Sequence, residues 1–111
     1  GTIQEAIDAA SDGDTILVAE GTYNESVEIT TPNLKIVSLT GPENTTILHS
    51  GTGIEIKASG VTVEGFKVSG DGLHYGIIVR KGVGVNILNN VVTGTTKHGA
   101  IELYGNLVET T

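Results

Sequence analysis

Part of this chain is written twice. A shift of 24 residues carries Val61, Val63, Val68 and Gly70 onto Val85, Ile87, Val92 and Gly94, and carries His74, Ile77 and Val79 onto His98, Ile101 and Leu103. No insertion or deletion interrupts the match between Val61 and Tyr104. Self-similarity at such a period marks a unit that cannot bury its own apolar face and must stack on copies of itself.

The content of one unit selects the architecture. Its apolar positions alternate, as in Val61 and Val63 and again in Ile77 and Val79, which is the period of a strand. Val, Ile and Thr dominate these runs, and Gly, Asn, Asp and Ser separate them. Two or three short strands in each 22 to 24 residues make one coil of a parallel β-helix. Each strand then pairs with its equivalent about 4.8 Å away in the next coil. The expected fold is an all-β solenoid, a right-handed parallel β-helix of about four coils with a short N-terminal capping α-helix. Its handedness follows from the rule for parallel connections and from the resemblance described below.

A chain of 111 residues is expected to be one domain, with residues 1–14 forming a helical cap and turn and residues 15–111 the stacked coils. Sixteen glycines beside four aromatic residues describe a turn-rich fold with a narrow aliphatic core. The lack of cysteine excludes disulfides and zinc-thiolate sites. A net charge of -7 argues against nucleic acid as a partner, and no apolar run approaches the length needed for membrane insertion.

Thr2-Ile-Gln-Glu5 reads as a capping box, followed by a stripe of Ile3, Ile7 and Ala10, so the chain opens with an amphipathic helix. Such a short helix needs an apolar surface to rest on, and the open end of the first coil supplies one. Leu17, on the outer side of the first strand, is expected to lie beneath it. The run Thr2 to Ala10, then Gly13-Asp-Thr-Ile16, then Gly21-Thr-Tyr23-x-Glu25-x-Val27-x-Ile29, then Leu34-x-Ile36 with Thr46-Ile47, resembles the opening of pectin-lyase-like right-handed β-helix proteins. That superfamily includes pectin methylesterases, pectate lyases, polygalacturonases and many surface proteins, and the resemblance spans essentially the whole chain as architecture.

Steps of 23 and 24 residues align Ile54-Glu-Ile56 with Ile77-Ile-Val79 and Ile101-Glu-Leu103. The pleat then turns outward Glu55 and Lys57, Ile78 and Arg80, and Glu102 and Tyr104. By resemblance this is the face on which the superfamily's enzymes carry their catalytic groups, which makes Glu55, Arg80 and Glu102 the candidate catalytic residues. Glu55 and Glu102 are expected two coils apart, about 9.6 Å between backbones, near the separation of about 6.5 to 9.5 Å used by inverting glycosidases. The superfamily's enzyme signatures are nevertheless thin here. Clustered aspartates with Gly-His-Gly are missing, and Gly65-Phe66-Lys67 keeps two letters of the methylesterase segment.

His74 and His98, one period apart, are candidates for a shared metal or ligand. Calcium is implied by the resemblance alone, and no cofactor is otherwise expected. Tyr75 and Tyr104 with Lys57, Arg80, Lys81 and Glu102 could form a sugar-binding platform, the rings stacking and the cations pairing with uronate carboxylates. Asn89 and Asn90 fall at a turn where stacked asparagines satisfy backbone groups. Beyond Tyr104 the 24-residue shift sets Leu107 on Val83 but Glu109 on Val85, so the last strand either leaves the coil as a polar cap or belongs to a longer solenoid. A start at Gly1 reads as a mature form or an excised piece, and association through the C-terminal end is expected.

These features favour a non-catalytic extracellular or cell-surface module that binds polysaccharide or acts as a scaffold. The alternatives are a fragment of a polysaccharide-degrading lyase, glycoside hydrolase or esterase, and a designed or excised self-assembling β-helix.

Overall fold

The computed structural model describes residues 1–70, 75–94 and 101–103, together with the backbone of 107–110. One helix, α1 (Ile3–Ala9), precedes thirteen strands among the described residues. They are β1 (Thr15–Val18), β2 (Gly21–Asn24), β3 (Val27–Ile29), β4 (Lys35–Ser38), β5 (Thr45–His49), β6 (Ile54–Lys57) and β7 (Thr62–Glu64). After them come β8 (Lys67–Gly70), β9 (Ile77–Lys81), β10 (Val83–Leu88), β11 (Val91–Thr93), β12 (Ile101–Leu103) and β13 (Leu107–Thr110).

Every third strand pairs, always in parallel. The three sheets run β1-β4-β7-β10-β13, β2-β5-β8-β11 and β3-β6-β9-β12, so four triplets of strands are stacked and a fifth member extends the first sheet. The 24-residue period is visible directly in the register: Val63 faces Ile87, Val68 faces Val92, and Ile77 faces Ile101. Inward residues from all three sheets, including Ile36, Ile47, Ile56, Val63, Val68, Ile77 and Ile87, form one continuous core. Phe66, the only phenylalanine, is fully buried within it.

The turns repeat as regularly as the strands. The register of the first sheet stacks the positions two residues before Thr15, Lys35, Thr62 and Asn86, where Gly13, Asn33, Gly60 and Gly84 have φ of 86°, 58°, 73° and 67°. This left-handed conformation is open to glycine and tolerated by asparagine, which explains the residue types there. At the next corner Asn90 accepts from the Phe66 amide at 2.9 Å and donates to the Val63 carbonyl at 2.9 Å, tying two coils together as the asparagine reading expects.

The N-terminal cap is more specific than its apolar stripe implies. The Thr2–Glu5 capping box forms, and Ile3 and Ile7 are buried as α1 packs on β1 and β3. Two contacts lie beyond the sequence reading. Glu25, in the turn after β2, accepts from the amides of Ile3 at 2.9 Å and Gln4 at 3.0 Å, placing a carboxylate at the positive end of the helix. The Gln4 side chain accepts from the Glu28 amide at 2.7 Å and donates to the Glu28 carbonyl at 3.0 Å, so it pairs with the free edge of β3 as another strand would. Replacing Glu25 with alanine is expected to cost about 1 to 2 kcal/mol, and Glu25→Gln less. Urea denaturation checks both.

Two expectations about the ends of the solenoid change. Leu17 does not lie beneath the helix: it is 62% exposed, because α1 covers the end of the coil and not the outer side of β1. At the other end Gly84 lies in a register irregularity that brings Val108 beside Val85, Glu109 beside Asn86 and Thr110 beside Ile87. The one-residue slip restores an apolar neighbour to Val85, so β13 stays in the first sheet.

Candidate functional site

The outer side of the β3-β6-β9-β12 sheet gathers most of the described ionisable side chains predicted to carry function. In each short strand the branched residues flanking the central position turn into the core, as Val27 and Ile29 or Ile54 and Ile56 do, so the central residue points out. Register then stacks these central residues in one column, Glu28, Glu55, Ile78 and Glu102. Glu55 and Glu102 are two coils apart, as predicted. Glu28 extends the column by one coil at the other end.

The column is completed by cations from its own sheet. Lys57 Nζ donates to Glu28 Oε2 at 2.8 Å and lies 3.7 Å from Glu55 Oε1. Arg80 Nε donates to Glu55 Oε2 at 2.6 Å. Residues from three successive coils therefore form a single chain of ion pairs, Glu28–Lys57–Glu55–Arg80. The Arg80 hydrogen bond, followed by the charges of Lys57 and Arg80, holds the Glu55 carboxyl below its ordinary value of 4.5 against the opposing effect of burial. The hydrogen bond and charge of Glu28 raise the Lys57 ammonium above its ordinary 10.5.

The signs of these shifts fix a pH window. The stabilisation by Glu55 is complete above about pH 4.5 and is lost as the pH falls through its depressed folded value. The contribution of Lys57 is complete below about 10.5 and is lost as the pH rises through its elevated value. Wild type should therefore lose its stability advantage over Glu55→Gln on acidification below pH 4.5. Paired urea titrations at pH 7 and pH 3 measure the difference.

Two details of the site depart from expectation. Ile78 occupies an outward position yet is completely buried, and it lies outside the inner core cluster. Arg80 does not stack on Lys57. A bulge after Val79 pairs Lys57 with Lys81 and leaves Arg80 as the extra residue, and Arg80 reaches Glu55. Lys81 is exposed, Glu102 is half-buried at the far end of the column, and Tyr75 is half-buried in the segment before β9. His74, His98 and Tyr104 lie outside the described residues, so the metal pair and one ring of the sugar platform do too.

Among the described residues no three His, Asp or Glu side chains are grouped to hold a metal. Among the described residues Glu28 and Glu55 are neighbours in register, but the ammonium of Lys57 stands between them where an ion would sit. That arrangement does not fit calcium.

One further histidine went unweighed in the sequence. His49 continues the inward alternation of Thr45 and Ile47, is 5% exposed, and has its Nδ1 2.5 Å from the Gly51 carbonyl. Its ring lies against Gly53 and Gly70, beside a cleft of about 270 Å³ lined by Asn24, Glu25, Ser26, Leu48 and Ser50.

The architecture is the right-handed parallel β-helix of pectin-lyase-like proteins. A crystal structure of a pectin methylesterase variant in complex with a hexasaccharide superposes on it with a TM-score of 0.77 at 16% sequence identity. The match covers 94% of this chain and 45% of that one, so the chain spans less than half of the esterase. No family model and no curated protein sequence matches the chain. The likeness is one of fold.

Proposed function

We propose that this chain is a non-catalytic extracellular or cell-surface β-helix module that binds polysaccharide or serves as a scaffold. The observation that carries this reading is the state of Glu55. A glycosidic general acid must be protonated near neutral pH, and enzymes raise a carboxyl pKa to achieve this. Here Arg80 and Lys57 push it the other way. Of the other two acids of the column, Glu28 is paired with Lys57, and Glu102 lies beside Ile78 of β9. A rigid, ion-paired sheet is better suited to holding a glycan than to cleaving one. The fold it shares with a saccharide-bound esterase supports the choice of ligand class.

The test is a panel of soluble plant, bacterial and algal polysaccharides, assayed for retention and for product. Retention without release of reducing or unsaturated ends is expected. Release of such ends, abolished in Arg80→Ala, would overturn the non-catalytic reading.

Self-association belongs to the same proposal. The N-terminal end of the solenoid is closed by α1, whereas Ile101 and Leu103 of β12, in the inward column above Ile77 and Val79, remain 37% and 45% exposed. Light scattering at tens of micromolar is expected to show assemblies larger than a monomer. A clean monomer would contradict it.

A further inference from the structure

We propose that Asn24 and Asn44 are acceptors for N-linked glycans. This rests on the reading of the chain as an exported module, since the modification belongs to chains that leave the cytoplasm. The sequence supplies the first observation. Asn24-Glu-Ser26 and Asn44-Thr-Thr46 are the two places where Ser or Thr follows an asparagine at the second position, with no proline between them. Three residues are too few to assign a site, and the structure supplies a second, independent observation.

The other described asparagines serve the fold. Asn90 ties two coils together at the corner. Asn33 adopts a φ of 58° and donates to Asp12 at 3.1 Å, Asn86 donates to the Gly84 carbonyl at 3.3 Å, and Asn89 adopts a φ of 53°. Asn24 and Asn44 differ from all of these: each is exposed, and its carboxamide has no hydrogen-bond partner among the described residues. Their backbones are nevertheless fixed. Asn44 closes a turn, its amide donating to the Gly41 carbonyl at 3.2 Å and its carbonyl accepting from the Gly21 amide at 2.9 Å. Asn24 ends β2 beside Leu48, on the outer side of the strand because Tyr23 before it packs against the core. Asn44 directly precedes Thr45, the partner of Gly21, so the two asparagines flank opposite ends of the β2–β5 pair. Sugar attached there displaces no coil-to-coil bond. It shields Leu48, which is 44% exposed, and lies on a different sheet from the ion-paired row.

The donor is an oligosaccharide joined through its C1 to a polyprenyl phosphate or diphosphate. The asparagine Nδ2 bonds to C1 as the C1–O bond breaks, the lipid phosphate leaves with the electron pair, and the carboxamide proton passes to a base of the transferase. A carboxamide bonded within the fold, such as that of Asn90, would lose its contacts on modification. Those of Asn24 and Asn44 lose none.

The test is secretion of the chain from a eukaryotic host. Medium and cell lysate are both analysed by intact mass, and by peptide mapping after amidase release, which leaves aspartate at each modified asparagine. Two glycans are expected in wild type, one in Asn24→Gln or Asn44→Gln, and none in the double variant. The double variant should melt within about 3 °C of bacterially produced wild type, because no bond to either carboxamide is lost. A larger drop would overturn the free carboxamides on which the proposal stands. Unmodified asparagines in both medium and lysate would overturn the proposal while leaving the exported module in place, and modification at Asn44 alone would overturn the assignment of Asn24. A glycosylated chain that stays unfolded inside the cell would overturn the exported reading and leave the two acceptors standing.

Discussion

Replacing Gly53 with alanine is expected to destabilise the protein by about 3 kcal/mol, lowering the melting temperature by roughly 10 °C or more. Gly53 lies at the entry to β6, where successive coils approach closely. Its amide donates to the Tyr75 carbonyl at 3.0 Å, and the next amide, of Ile54, donates to the Gly76 carbonyl at 2.8 Å. A Cβ at this position would lie 2.4 Å from the Gly76 oxygen, 2.6 Å from Val68 Cγ1 and 2.9 Å from the His49 ring. The first of these is backbone in the following coil and cannot turn aside, the second is a fully buried valine, and the third is a wedged ring. Relief requires the coils to part where they hydrogen-bond. Gly13→Ala is the control, because nothing lies within 4 Å of a Cβ there and only its φ of 86° is strained. It should cost about 1 kcal/mol. Similar losses for the two variants would refute the close approach at Gly53.

The second large effect concerns the core. Phe66→Ala is expected to cost about 3 to 5 kcal/mol, the range for removing a fully buried aromatic ring. The fold has little capacity to collapse around the gap, because each coil is held in register by the coils on both sides. Thr45 and Asn90 flank Phe66 along its column, one position before the pairs that Thr46 and Val91 make with Lys67. Thr45 is itself fully buried with its hydroxyl unpartnered among the described residues. Phe66→Leu keeps most of the volume and should cost about 1.5 kcal/mol or less. Urea denaturation of the two variants separates a packed column from a tolerant one, which would show equal, small losses.

The sequence is informative about this molecule where residues repeat and silent where they act once. The columns Val63 with Ile87 and Ile77 with Ile101 follow from the period, since each coil must place its branched residues over those of the last. The capping box at Thr2 and Glu5 is local, and local patterns survive in any fold. The bulge that moves Arg80 out of register with Lys57 has no such signature, because one added residue in a strand leaves the apolar alternation before it unchanged. Gln4 closing the edge of β3, and Glu25 closing α1, each depend on residues more than twenty positions away. Their chemistry is ordinary until the coil brings them together. Glu28 could have been found: Val27-Glu-Ile29 repeats the pattern of Ile54-Glu-Ile56 at a step of 27, the same step that separates Leu34 from Val61. His49 could have been found as well, as the third member of an inward alternation that begins at Thr45. The outward but buried Ile78 could not, because the pleat gives a direction without saying what covers it.

The central claim is that three successive coils bring Glu28, Lys57, Glu55 and Arg80 into one ion-paired row. Its most direct test is the titration of the Glu55 side-chain carboxyl followed by carbon-detected NMR, in wild type and in Arg80→Ala. A midpoint below 4.5 in wild type, moving upward when Arg80 is removed from 25 positions along the chain, is the expected result. An ordinary midpoint in wild type that Arg80→Ala leaves unchanged would contradict the stacked row.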